Sequence, residues 1–247
     1  MRYLQVIVVA SVVASVTARE LVGEGLIYRP PSYQLGSPSE LVLYATLGIA
    51  AAGVGWAFMR GEHLAIKLFE RLKVWLPLRT MLGGLIVGLL ALLVPEILGS
   101  GDDLPPIEGA IQQPVAALLA GRFADAFDAT GFTAVGLLLL LLVAKFVATC
   151  ISIGAGFAVG SFGPAFFLGA ALGAAFGHAA ATLFPAVTVE PGALALAGMA
   201  AVIGAAAKAP LTGILIVFEL TGDYSLVLPL MLAVGIATFF FYVLWND

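Results

Sequence analysis

GSFGPAFFLGAALGAAFGHAA, residues 160–180, decides how this chain is read. The run is apolar enough to lie in a membrane, yet it opens with Gly-Ser-Phe-Gly-Pro, which leaves backbone N–H groups free where a helix begins. An unsatisfied donor facing lipid costs several kcal/mol, so something must satisfy these. A helix starting near Gly163 presents the positive end of its dipole there. Pro164 suits the first turn because its missing N–H would have been unpaired anyway. Gly160 and Gly163 let the backbone come close to a ligand. A small anion would satisfy the donors of Ser161 and Phe162 without a fixed cation, which suits passage because conduction needs binding weak enough to release. The plainer alternative is a tight turn between packed helices, capped by the Ser161 side chain.

Outward from this stretch, composition sets the class. The chain is 62% hydrophobic and only 11% charged, against roughly 25% charged in soluble domains. Apolar runs long enough for a bilayer about 30 Å thick recur along it. A net charge of −4 gives no reason to expect nucleic acid as a partner. The single cysteine, Cys150, has no intrachain partner for a disulfide. Residues 1–20 imitate a secretory signal peptide, but a retained membrane helix is the expectation because no large soluble domain follows.

The pattern predicts helices at about 2–19, 40–60, 62–75, 79–98, 109–120, 131–151, 163–184, 192–206, 209–220 and 224–245. Segments 109–120, 192–206 and 209–220 are too short to cross, and with the breaks at GSFGP and KAPLTG they point to a transporter or channel. Arg60, Lys67, Arg71, Lys73 and Arg79 crowd into residues 60–79, whereas residues 99–130 hold Arg122 against Asp102, Asp103, Glu108, Asp125 and Asp128. The 60–79 connection is therefore expected on the cytoplasmic side, and 62–75 partly along the interface. Gly169, Gly173 and Gly177 share one helix face, as do Gly84 and Gly88, which indicates close helix packing.

GAGFAVGSFGPAFFLGAALGAAFG (154–177) resembles the G-x-F-x-P region of the CLC family of chloride channels and proton/chloride antiporters. LALAGMAAVIGAAAKAPLTGILIVFELTGDYSLVLPLMLAVGIAT (194–238) is similar to the stretch that follows it there. The resemblance implies an all-α integral membrane protein, a multi-helix bundle with broken and short helices, like one of the two inverted repeats of a CLC pore plus flanking helices. It implies a single membrane domain over 1–247, with about 1–60 ending the first repeat and about 61–247 forming most of the second. Chloride or a similar anion would be held by the backbone amides of Ser161 and Phe162, the turn being shaped by Gly160, Gly163 and Pro164. No cofactor is implied beyond the transported chloride. The family's dimer, with a separate pore in each subunit, implies a homodimer seam on segments 2–19, 40–60, 209–220 and 224–245. The bilayer is the other partner, with the cell (inner) membrane as the expected location.

The family's G-S-G-I-P and G-R-E-G-P motifs, which carry further anion ligands and a gating glutamate, do not occur in these residues. Its pore tyrosine belongs to a helix beyond this end-point; Tyr242 sits too early to be that residue. The resemblance therefore implies roughly the second half of a CLC membrane domain, with a transport-incompetent, dimerising subunit as the alternative function.

Among the remaining residues, Lys145 lies within LLLLLLVAKFVAT, either attracting anions electrostatically or bonding a carbonyl or carboxylate. Lys208 precedes a proline break and either enriches anions or satisfies carbonyls that the proline frees. Glu219 is expected to make a structural hydrogen bond, Asp223 to cap the following helix, and His63 and His178 to occupy helix ends without binding metal. An intramembrane serine hydrolase using Ser161 and His178 is excluded by distance: the histidine lies about 20 Å along the same helix, beyond proton-transfer reach.

Overall fold

The computed structural model describes residues 2–22, 40–72, 74–98, 114–119, 129–184, 190–222 and 224–246. Those residues form α1 (Arg2–Val22), α2 (Glu40–Arg71), α3 (Leu76–Leu93), α4 (Pro114–Leu119), α5 (Gly131–Ala155), α6 (Phe162–Leu183), α7 (Pro191–Ala206), α8 (Pro210–Thr221) and α9 (Val227–Asn246). Short 3₁₀ turns at Pro95–Ile97 and Tyr224–Leu226 complete them. No strand occurs among the described residues. Five helical stretches there are long and apolar enough to cross a membrane. The protein is a multi-pass, all-helical integral membrane protein.

The architecture is built around α7. Only sixteen residues long, it is buried almost throughout, because α6, α2, α9 and α8 all pack on it. A helix apolar on every side has no solvent or lipid face to prefer and therefore becomes the centre. The α6–α7 contact depends on the glycine face read from sequence. A Cβ on Gly169 would stand 2.5 Å from the Gly198 carbonyl oxygen. One on Gly177 would stand 2.7 Å from Pro191 Cα. One on Gly173 would meet Leu194 backbone. Only helices without side chains on this seam approach so closely.

Two expectations change. Segments 40–60 and 62–75 are one continuous 32-residue helix, about 48 Å long. Gly61, the expected break, instead admits a neighbour: a Cβ there would lie 2.7 Å from Phe146 Cζ and 3.0 Å from Cys150 Sγ. On α3 the packed glycine is Gly83, where a Cβ would meet Ala155. A Cβ on Gly84 would make an ordinary contact, 3.4 Å from Phe157 Cζ, and one on Gly88 would meet nothing within 4 Å. The close approach thus runs through Gly83 rather than the Gly84/Gly88 pair. The acidic residues of 99–130, Arg122, most of segment 109–120 and Asp223 lie outside the described residues.

Candidate anion site at the start of α6

The site begins where α5 stops. Gly156 takes a left-handed conformation, φ 92°, and closes the helix as glycine does at a C-terminus. Its N–H donates to Ile153 O at 3.0 Å, and that of Phe157 to Ser152 O at 3.2 Å. Arg79 of α3 adds a bond from Nε to Ala155 O at 3.3 Å. The chain leaves this anchored end, crosses at 157–161 and enters α6 at Phe162.

The first bond within α6 runs from Ala165 N–H to Ser161 O at 3.1 Å. Pro164 has no N–H to give. The amides of Ser161, Phe162 and Gly163 thus open a 22-residue helix with no acceptor found for them among the described residues. The capping alternative is not realised: the Ser161 side chain makes no cap hydrogen bond, and its backbone is αR at φ −75°, ψ −13°, whereas a capping residue is normally extended. Its hydroxyl instead lies against the carboxylate of Glu62 on α2.

Space exists on both sides of the turn. A cavity of about 410 Å³ is bordered by Gly160, Gly163 and Pro164 on one wall and by Lys145, Thr149 and Ser152 of α5 on the other. A Cβ at Gly160 would meet nothing within 4 Å, so packing does not demand glycine there. A second cavity, about 250 Å³, lies between Ser161 and Phe162, Phe58 and Met59 of α2, and the end of α7. The Phe162 ring stands edge-on to Phe166 at 4.9 Å, clear of its own amide's role.

The two candidate lysines separate. Lys145 is 2% exposed, donates from Nζ to Ile97 O at 2.7 Å, and lies 5.0 Å over the Phe167 ring. It has the carbonyl partner expected of a structural lysine, and it also borders the cavity beside Gly160. Lys208 borders neither cavity; its ammonium is 4.3 Å over the Trp245 ring. Its φ of +55° marks the tight link before Pro210. Glu219 is exposed near the end of α8. His63 Nδ1 pairs with Met59 O at 2.6 Å. His178 is separated from Ser161 by most of an unbroken α6, which removes the hydrolase dyad. No group of three or more potential metal ligands occurs among the described residues.

Sequence reading missed Glu62, Arg79 and Gly156. Glu62 hid in the charged run after Arg60, although it continues the buried face of Gly55 and Phe58 at helical spacing. Gly156 precedes the motif by only four residues and carried a helix-stop signal that was available.

Residues 1–241 match the model of the voltage gated chloride channel family. The chain is 36% identical to "Chloride channel protein CLC-f" of Arabidopsis thaliana, over 94% of this chain and 29% of that protein. It is 36% identical to "Putative chloride channel protein ClcB-like" of Ralstonia nicotianae, over 92% of this chain and 48% of that one. It is 32% identical to "H(+)/Cl(-) exchange transporter ClcA" of Vibrio campbellii, over 93% and 46%. The crystal structure of a slow cyanobacterial Cl−/H+ antiporter superposes with a TM-score of 0.76 at 27% identity, covering 94% of this chain and 50% of that one. The chain thus spans half or less of the length of these relatives. With an all-helical membrane architecture and a family match along nearly its whole length, it belongs to the voltage-gated chloride channel family, the CLC proteins.

Proposed function

We propose that this chain serves transmembrane transport of chloride or a similar small anion, as part of a CLC-type channel or proton/anion antiporter, and that the backbone amides of Ser161 and Phe162 hold the anion. One observation carries the reading. Among the described residues the amides opening α6 find no acceptor; Ser161 and Phe162 border one cavity, and Gly160, Gly163 and Pro164 of the same turn border another, walled by Lys145. Helix N-termini with free amides bind anions through directed N–H groups and the dipole together. The names of the relatives, chloride channels and an H+/Cl− exchanger, support the choice of ion. Homodimerisation through α1, the first part of α2, α8 and α9, with the 60–79 connection cytoplasmic, belongs to the same proposal.

The test is chloride titration calorimetry on the purified chain in detergent, comparing Phe162→Pro with Phe162→Leu. Proline is tolerated in the first helical turn, although it disfavours the αR backbone of the preceding Ser161. Phe162→Pro deletes one donor, and thermal unfolding checks that the helix is kept. Phe162→Leu removes the ring and keeps the amide. Loss of binding in the proline variant alone supports the backbone site; equal binding in both overturns it.

A further inference from the structure

We infer that Glu62 is a proton-responsive positioning residue of the anion turn: ionised, its carboxylate against Ser161 opposes an anion at the α6 amides, and protonated it admits one. The inference rests on the anion-binding reading of residues 160–164. It does not follow from the family's gating-glutamate motif, which these residues lack.

The placement is the first argument. Glu62 is 6% exposed and lies on the face of α2 that carries buried Gly55 and Phe58. The Ser161 hydroxyl lies against its carboxylate, and Ser161 also supplies the first amide of the turn. The other observation is an orphan: Glu62 Oε1 is buried and finds no hydrogen-bond partner among the described residues. Sequestered polar atoms of this kind call for an explanation.

The neighbours supply little compensation. On its own helix, His63 is close enough to interact, but its Nδ1 is engaged with Met59 O. The Arg60 guanidinium lies 5.4 Å over the Trp56 ring. From α5 comes the Cys150 thiol, while Lys145 of the same helix donates to Ile97 O. From α6 comes Ser161, the helix's own ionisable residue being the distant His178; α7 has none. Lys208, in the α7–α8 link, is placed over Trp245, and Tyr242 is the ionisable side chain of α9. A negative charge on Glu62 thus stands beside the turn with no arginine or lysine paired to it among the described residues, and like charges at close range in a poorly solvated site oppose each other. Proton uptake converts the carboxylate to a neutral carboxyl and removes the repulsion. By linkage, the proton raises anion affinity and the anion raises proton affinity by the same factor.

The experiment is chloride titration of the full chain from mildly acidic to mildly alkaline pH, for wild type, Glu62→Gln and His63→Gln. Wild-type affinity should fall on the order of tenfold as pH rises; Glu62→Gln should hold its acidic-side affinity throughout, and His63→Gln should follow wild type. A wild-type slope retained in Glu62→Gln, or one lost in His63→Gln, overturns the assignment. Infrared difference spectra give a check that does not need Glu62→Gln to fold. Chloride added to wild type should raise a protonated-carboxyl band, and Ser161→Ala, which keeps the amide, should shift its frequency. Absence of that band, or a band indifferent to Ser161→Ala, also overturns it. Wild-type binding without pH dependence defeats the Glu62 inference alone. No chloride binding at any pH defeats the anion-site reading and this inference with it.

Discussion

Lys145 shows why a buried cation need not bind an anion tightly. Its ammonium already donates to the Ile97 carbonyl and faces the Phe167 ring, so its charge reaches the neighbouring cavity as a field rather than as a ligand. An ion held by amides and attracted by a cation across a gap can still leave. Lys145→Met keeps the apolar stem and removes the charge. It should weaken chloride binding several-fold, and the orphaned carbonyl should cost ~1–3 kcal/mol of stability. Lys145→Arg should retain most of the affinity. Chloride titration and thermal unfolding separate the two effects: lost stability with unchanged affinity would make Lys145 purely structural. At this scale the geometry of the proposed turn was largely legible, since residues 160–164 carried their own signal in two glycines and a proline. The partners were not. Glu62 and Arg79 come from α2 and α3, and nothing local to either says which turn it will meet.

The helices are held by absence of side chains as much as by their presence. A methyl on Gly169 would collide with the Gly198 carbonyl and with Met199 Cα at 2.6 Å. Both are backbone atoms that cannot rotate away. Gly169→Ala should therefore cost about 1–3 kcal/mol, and Gly169→Val more. Because this seam sets where α6 sits against α7, the loss should appear both in thermal unfolding and in chloride affinity. Gly160→Ala, facing open space, should leave thermal stability nearly unchanged. The every-fourth-residue spacing made the α6 seam readable in advance. The same spacing misled at Gly84 and Gly88, since the close approach of α3 to α5 falls at Gly83, against Ala155, and Gly88 has nothing within 4 Å. At Gly61 a glycine beside charged residues looked like a boundary but served packing against Phe146. A glycine signals that something comes close; whether that is a turn or a neighbour depends on tertiary structure.

At the scale of the molecule, a short apolar helix that cannot span a membrane makes sense only when surrounded, and α7 is. The outer surface then divides into faces of similar chemistry and different proposed use. Leu85 and Leu89 of α3 are 61% and 56% exposed, and Leu211 and Leu215 of α8 are 72% and 61% exposed. Hydrophobicity cannot distinguish them, because lipid and a partner helix are equally apolar. That is why the bundle was legible from the sequence and the seam came only through resemblance. The proposed homodimer assigns α8 to the seam and leaves α3 to lipid. The native Cys150 is buried, so engineered cysteines report with little background. Oxidation of membranes carrying Leu215→Cys should yield a disulfide-linked dimer that reductant reverses, whereas Leu85→Cys should remain monomeric. Cross-linking at Leu85 alone would move the seam to the opposite face, and none at either position would leave both leucines facing lipid. Dilution with excess unrelated membrane lipid before oxidation should not reduce the Leu215→Cys product, since a preformed pair does not depend on chance encounter.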